Sequence, residues 1–453
     1  MPRNISFTKI GTVIHWPELR GRFATNSTQP RRKVLTHQIQ IDQTRLLREL
    51  QTLATFTDAE PVSNGTAVTR IVFSADDLRA RAWLKKLATA EGFEVRDDAV
   101  GNIFIRWPGT EPELPAVATG SHTDAIPHAG MYDGTVGVLG GLEAMRALKR
   151  SGLHPRRSIE LVMFTSEEPT RFGIGCLGSR LISGTLDPSR AEAMQDKDEA
   201  TLAAVRTGAG FSGSLASVQL PSNHYHAWLE LHIEQGPLLE REGIPLGIVT
   251  SIAAPAGYRF TITGFGGHAG ALLMPDRKDA LCASAELILS VEKHALATGT
   301  IDTVATIGTC DVHPGAVNSV PSRVVLQLDI RDTDPTRRES VMQAIRRDCK
   351  DLRQRRKVTI TEELVNADAP AQSSPHIVKL LEETCVAQKI PYKKMVSRAY
   401  HDSLFMSRIA PIGMIFIPCR NGVSHKPDEY ASPSDTTLGV QVLASALAKL
   451  ASE

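Results

Sequence analysis

Glu167 and Glu168, adjacent in the run ELVMFTSEEPTRFG, are the side chains whose types and spacing carry the most chemistry. They follow directly on the apolar stretch Ile159 to Phe164, which reads as a strand. That puts both acids at a strand's carboxyl end, where open α/β sheets bind their ligands. Two such acids can divide labour, one holding a metal ion while the other moves a proton. Which does which is left open by sequence geometry.

The segments around this pair supply partners. His122 follows a second predicted strand, and Asp133 comes eleven residues later, just before a Gly-rich helix start. A histidine paired with a carboxylate suits Zn²⁺ or Mn²⁺. Asp124 is spaced to accept the other imidazole N–H of His122 and so fix its tautomer, while His128 is a competing ligand. His232 ends a third predicted strand in ELHIEQGP, and His425 lies in the loop before the last helix. The set is large enough for two metals bridged by Asp133, with one glutamate left free to deprotonate the attacking water.

Three more residues invite attention in the stretch from 251 to 365. His268 follows a glycine pair that would let backbone approach a ligand closely. Asn318 and Arg331 offer an amide and a guanidinium suited to a substrate carboxylate. Other chemistries lack their signatures: G-x-S-x-G matches nothing with a following helix, and neither a Walker nor a dinucleotide fingerprint occurs.

The elements that must position these groups follow from periodicity. Helices are expected at 41–55, 77–92 and 134–151, and strands at 116–120, 159–164 and 227–232, an alternation that reads as an α/β sheet. From about 251 to 365 the order becomes β-α-β-β-α-β, the ferredoxin-like pattern, so an inserted domain interrupts the main sheet. The chain then returns through a helix at 375–388, a strand at 412–417 and a closing helix at 433–451. The organisation expected is a basic leader over 1–34, a catalytic domain from 35–250 and 366–453, and a lid or dimerisation domain over 251–365.

Composition narrows the field further. With 453 residues the chain exceeds one ordinary core, and 42% apolar residues is normal for a globular protein. A formal charge of +1 from 51 basic and 50 acidic side chains argues against nucleic-acid or acidic-membrane partners. The basic run RQRRKV at 353–358 reads as a solvated helix end. Six scattered cysteines without a CxxC support neither a disulfide framework nor a Cys-type zinc site. No apolar run nears the roughly 20 residues of a membrane span. The leader has Glu18 as its only acid and lacks the apolar core of a secretory signal. It reads as either a disordered or an organelle-targeting segment, and the missing signal core on its own makes a cytoplasmic location the expectation.

Taken together, GSHTDAIPHAGMYDG, FTSEEPTRFG, ELHIEQGPLLE, GGHAGALLMPDRKDA, HPGAVNSVPS and SHKPDEYASP resemble the amidohydrolase branch of the M20 di-metal peptidase family, in family order from about residue 42 onward. The resemblance implies an α/β catalytic domain with a mixed central sheet, interrupted by a ferredoxin-like lid and dimerisation domain. It implies His122, Asp133 and His232 as ligands of one metal, and Asp133, Glu168 and His425 as ligands of the other. Glu167 is similar to the general base, and His268 to a residue that reaches across a homodimer to stabilise the partner's oxyanion. Asn318 and Arg331 resemble carboxylate binders, and Gln235 lies beside the site.

Substrate choice in that branch turns on Ala399, Tyr400, His401 and Asp402. Allantoate and N-carbamoyl-amino-acid hydrolases read Ala-Gly-His-Asp there; Tyr400 resembles the ureidoglycolate-hydrolysing subfamily of plants. A phenol in place of glycine shrinks the pocket and can bond a substrate hydroxyl. The subfamily implies (S)-ureidoglycolate as substrate, Mn²⁺ as the metal (Zn²⁺ or Co²⁺ fit the ligands too), and an endoplasmic-reticulum location. A dipeptidase of the wider family is disfavoured, because such peptidases carry an acid where His232 stands.

Overall fold

The computed structural model describes residues 39–453; the expected basic leader lies outside them. Nine strands form the main sheet. Four of them are parallel neighbours: β1 (Ala116–His122), β2 (Ile159–Phe164), β3 (Tyr225–Ile233) and β4 (Ile412–Ile417), in the spatial order β2-β1-β3-β4. All four are buried along their length but for one residue, which is why they read as apolar runs rather than alternating ones. Their carboxyl ends lie together, and that shared edge is where His122, Glu167, Glu168 and His232 emerge.

The flanks of the sheet were less legible. Antiparallel strands at Glu94–Asp97 and Ile103–Trp107 extend it beyond β2, and Gly247–Ile252 extends it beyond β4. Gly247–Ile252 in turn pairs with Ala371–Gln372 and Lys393–Ser397. These pieces are only two to six residues long, so they carry little periodicity to read.

Helices cover both faces. Thr135–Arg150 and Pro433–Leu450 pack on one side, where Val138, Leu142, Leu443 and Leu447 meet Leu161 and Leu231. Leu177–Ile182 and Asp402–Met406 cover the other, around Phe164, Trp228 and Phe405. The inserted domain has its own core, with Phe260, Leu287, Leu326 and Ile345 between a four-stranded antiparallel sheet and two helices. Its strands run from Ala254–Thr263 to Thr359–Ala367, and its helices are Ala280–Leu296 and Pro335–Arg356. Strand order and pairing are those of a ferredoxin-like fold. In the basic run at its second helix, Arg355 and Arg356 are ion-paired with Glu286. Among the described residues no helix is long and apolar enough to cross a membrane.

Candidate metal centre

Asp133 is the hub. Its Oδ1 lies 3.2 Å from His232 Nε2 and 3.5 Å from His122 Nε2, and its Oδ2 lies 3.3 Å from His425 Nε2. Glu168 Oε1 is also 3.3 Å from His425 Nε2. Donors that share one ion at about 2.0–2.2 Å stand roughly 3–3.5 Å apart at tetrahedral or octahedral angles. The groups His122, Asp133, His232 and Asp133, Glu168, His425 therefore have the chemistry and the spacing of two divalent sites sharing one carboxylate.

Each element contributes for a local reason. The β1 strand delivers His122, whose Nδ1 lies 3.0 Å from the Asp124 carbonyl; β3 delivers His232, whose Nδ1 lies 2.9 Å from the Ile233 carbonyl. Carbonyls only accept, so both rings carry a proton on Nδ1 and turn Nε2 toward Asp133. The Gly134 amide also donates to His232 Nε2, at 3.1 Å. Gly134 has φ +66°, and a Cβ there would lie 2.4 Å from His122 Nε2, so both the turn and the ring demand glycine.

Asp124 acts differently from the sequence expectation. Its carbonyl, not its carboxylate, engages His122; Oδ1 is 3.7 Å from the ring nitrogen. The carboxylate instead accepts the backbone amides of Glu167 at 3.2 Å and Glu168 at 3.0 Å. It thus fixes the chain that bears the two acids. His128 is exposed on a separate two-stranded ribbon and joins neither ligand group.

Electrostatics fit cations at this spot. Burial opposes ionisation of Asp133, but the three imidazoles facing it outweigh that and hold its carboxyl well below the usual range. Burial, then the Asp133 charge, pushes Glu168 up to about 7. Glu167 is raised well above the ordinary carboxyl value, chiefly by burial. His425, facing Asp133, is raised to about 9. Buried Asp124, Asp133, Glu167, Glu168, Glu230, Asp402 and Glu429 cluster here, and uncompensated buried carboxylates are costly. Divalent ions would compensate them.

Glu167 stays outside both ligand groups. Its Oε2 is 3.6 Å from His122 Nε2, and its Oε1 accepts the thiol of Cys176 at 3.3 Å. A basic carboxylate beside a metal pair, but not in it, can take a proton from water.

The pocket over these residues has a volume of about 240 Å³ and includes Gln235, Arg331, Tyr400 and His401. That is below the roughly 300–1,000 Å³ of drug-sized sites and suits a small substrate. Gln235 donates to Asp133 Oδ2 at 2.6 Å, leaving its buried Oε1 without a partner. Arg331 is held by a two-pronged bond to Asp329 at 2.9 and 3.0 Å, and its guanidinium lies 5.5 Å from the Tyr400 ring centre. His401 is buried edge-on against His232 and bonds with Ser397 Oγ at 3.0 Å; burial lowers its basicity strongly.

His268 and Asn318 do not line this pocket. They belong to a small ribbon of the inserted domain, where the Ala269 amide donates to the Asn318 carbonyl at 2.9 Å, and His268 is exposed. Within one chain, Asn318 is thus not among the residues that line the pocket with Arg331.

Three contributors escaped sequence reasoning. Glu230, two residues before His232 on the same face of β3, accepts Ser121 Oγ at 2.9 Å and Ser403 Oγ at 2.6 Å. Its period-2 spacing from His232 was the available signal. Glu429 accepts the amides of Tyr132 and Asp133, and Ser424 Oγ stands 2.7 Å from both Glu429 Oε2 and Asp133 Oδ2. Cys176 is the third, and nothing local marked it.

Strand-end histidines and acids arranged as a shared-carboxylate metal pair, with a free glutamate alongside, define a metal-dependent hydrolase. The model of Peptidase family M20/M25/M40 matches residues 118–449, and the chain belongs to that family. Ureidoglycolate hydrolase of Arabidopsis thaliana is 50% identical over 423 residues, which cover 92% of this chain and 88% of that protein. The crystal structures of AtUAH in complex with glyoxylate and with (S)-hydroxyglycine each match at a TM-score of 0.83, with 50% and 49% identity, covering 92% of this chain and 99% of theirs.

Proposed function

We propose that the chain hydrolyses (S)-ureidoglycolate to glyoxylate, ammonia and carbon dioxide. The observation that carries this reading is Tyr400 in the wall of a small pocket over the metal centre, in a chain half identical to a ureidoglycolate hydrolase. Two divalent ions held by His122, Asp133, His232, Glu168 and His425 would supply Lewis acidity toward the ureido carbonyl and water; Mn²⁺ is the ion we assign.

The protein's own groups do the rest. Glu167 takes a proton from the attacking water, whose oxygen bonds to the ureido carbon. The bond from that carbon to the substituted nitrogen breaks, and Glu167 returns the proton to this nitrogen. Hydroxyglycine and carbamate leave; the first loses ammonia to give glyoxylate, and the second splits into ammonia and carbon dioxide. Arg331, braced by Asp329, suits the substrate carboxylate, and the unpartnered Gln235 Oε1 can accept a substrate N–H. The Tyr400 hydroxyl is available to the substrate hydroxyl, and His401 packs beneath.

A homodimer through the inserted domain belongs to the same reading. Leu281, Leu289 and Leu296 are exposed along one of its helices, and Phe265, Leu273, Met274 and Val317 are exposed near His268. So much uncovered apolar surface marks an association face. His268 and Asn318 then serve the partner's pocket, where the imidazole stabilises the oxyanion and the amide joins Arg331 at the carboxylate.

The test is glyoxylate formation from fresh (S)-ureidoglycolate by the Mn²⁺-loaded protein. Activity should vanish on chelation and return on adding Mn²⁺. A chelated protein that keeps full activity would refute it.

A further inference from the structure

The backbone from Thr165 to Glu167 is held at three points by the segment that starts the helix Leu177–Ile182, and one of the three is Glu167 itself. The Cys176 amide donates to the Glu167 carbonyl at 2.7 Å, the Leu177 amide to Ser166 at 2.9 Å, and the Gly178 amide to Thr165 at 2.9 Å. These bonds fix the backbone of the acid, not its carboxylate. The carboxylate has a single hydrogen-bond donor among the described residues, the Cys176 thiol on Oε1, which leaves Oε2 turned toward His122.

Cys176 is an unexpected residue at its position. Its φ is +57°, a left-handed conformation that favours glycine and disfavours a side chain. Glycines stand one residue before it and two after it, so a small residue without a side chain would fit the local pattern. The residue is fully buried. Burial and the neighbouring Glu167 charge push it well above the ordinary thiol value, so it stays a protonated donor.

From this geometry we infer that Cys176 is a positioning residue for the general base: its S–H holds the Glu167 carboxylate in the rotamer that presents Oε2 to the attacking water. The inference rests on Glu167 being the base. A thiol is a weak donor, so it can orient a carboxylate without neutralising it as an arginine or lysine would. Small displacements of a catalytic group cost rate rather than affinity.

The experiment measures kcat, KM and bound Mn²⁺ for Cys176→Ala, Cys176→Gly and Cys176→Ser beside Glu167→Gln. Glycine suits the positive φ, so that variant keeps the fold even if alanine does not. We expect the alanine and glycine variants to lose about tenfold in kcat with KM and metal content unchanged. Serine, which keeps a donor, should restore at least half of the loss. Wild-type kcat in the glycine variant, or equal losses in glycine and serine, would overturn the positioning role while Glu167→Gln remains inactive. Full activity in Glu167→Gln would instead overturn the assignment of the base.

Discussion

A Cβ at Gly175 would stand 1.9 Å from the phenol oxygen of Tyr400, so the glycine is a condition for the ring's seat in the pocket wall. The same Cβ would lie 2.8 Å from the carbonyl oxygen of Glu167. One missing side chain therefore makes room for both the Tyr400 ring and the backbone of Glu167. Gly175→Ala should displace the phenol and lower kcat/KM for ureidoglycolate by about tenfold, with metal content unchanged. Tyr400→Gly should shift the ratio of ureidoglycolate to allantoate turnover toward allantoate by about 10- to 100-fold. Steady-state kinetics on both substrates check each variant; an unchanged ratio in Tyr400→Gly would show that the ring only packs.

The shared carboxylate makes a prediction about stoichiometry. Asp133 faces the ligands of both sites, whereas His425 faces one, so the two substitutions should differ in kind. Asp133→Asn should drop bound metal from about two ions per chain toward none, and His425→Ala should retain about one. Elemental analysis after dialysis distinguishes these results. Equal loss in both would argue against a bridge.

Much of this centre is readable from sequence, for one reason. His122 and His232 stand at the ends of buried strands and Glu167 and Glu168 follow another, and parallel strands collect their carboxyl ends on one edge. Groups whose roles depend on contacts across long sequence distance stayed hidden. Glu429 meets Asp133 across 296 residues, and Ser403 meets Glu230 across 173, with no periodicity to announce either. The spacing of Asp124 points to His122 as its neighbour but cannot tell its carbonyl, which makes the contact, from its carboxylate. His268 and Asn318 show the opposite limit: their segments were recognisable, but their places lie outside the pocket of their own chain.

If His268 serves the partner subunit, two defective chains should complement each other. Co-expressed His268→Ala and Glu167→Gln chains form mixed dimers in which one of the two sites has both groups intact. Random assembly then predicts about a quarter of wild-type activity, against near-background for either variant alone. No recovery in the mixture, with dimers present by light scattering, would place the function of His268 within its own chain or nowhere in catalysis.

The central claim is that a metal-pair hydrolase with Tyr400 in its pocket wall acts on ureidoglycolate. Ammonia release by the Mn²⁺-loaded protein, measured in parallel on freshly prepared (S)-ureidoglycolate and on allantoate, tests it most directly. Rapid release from ureidoglycolate, little from allantoate, and a fall of about 10²- to 10⁴-fold on ureidoglycolate in Glu167→Gln are expected. Faster turnover of allantoate than of ureidoglycolate would contradict it.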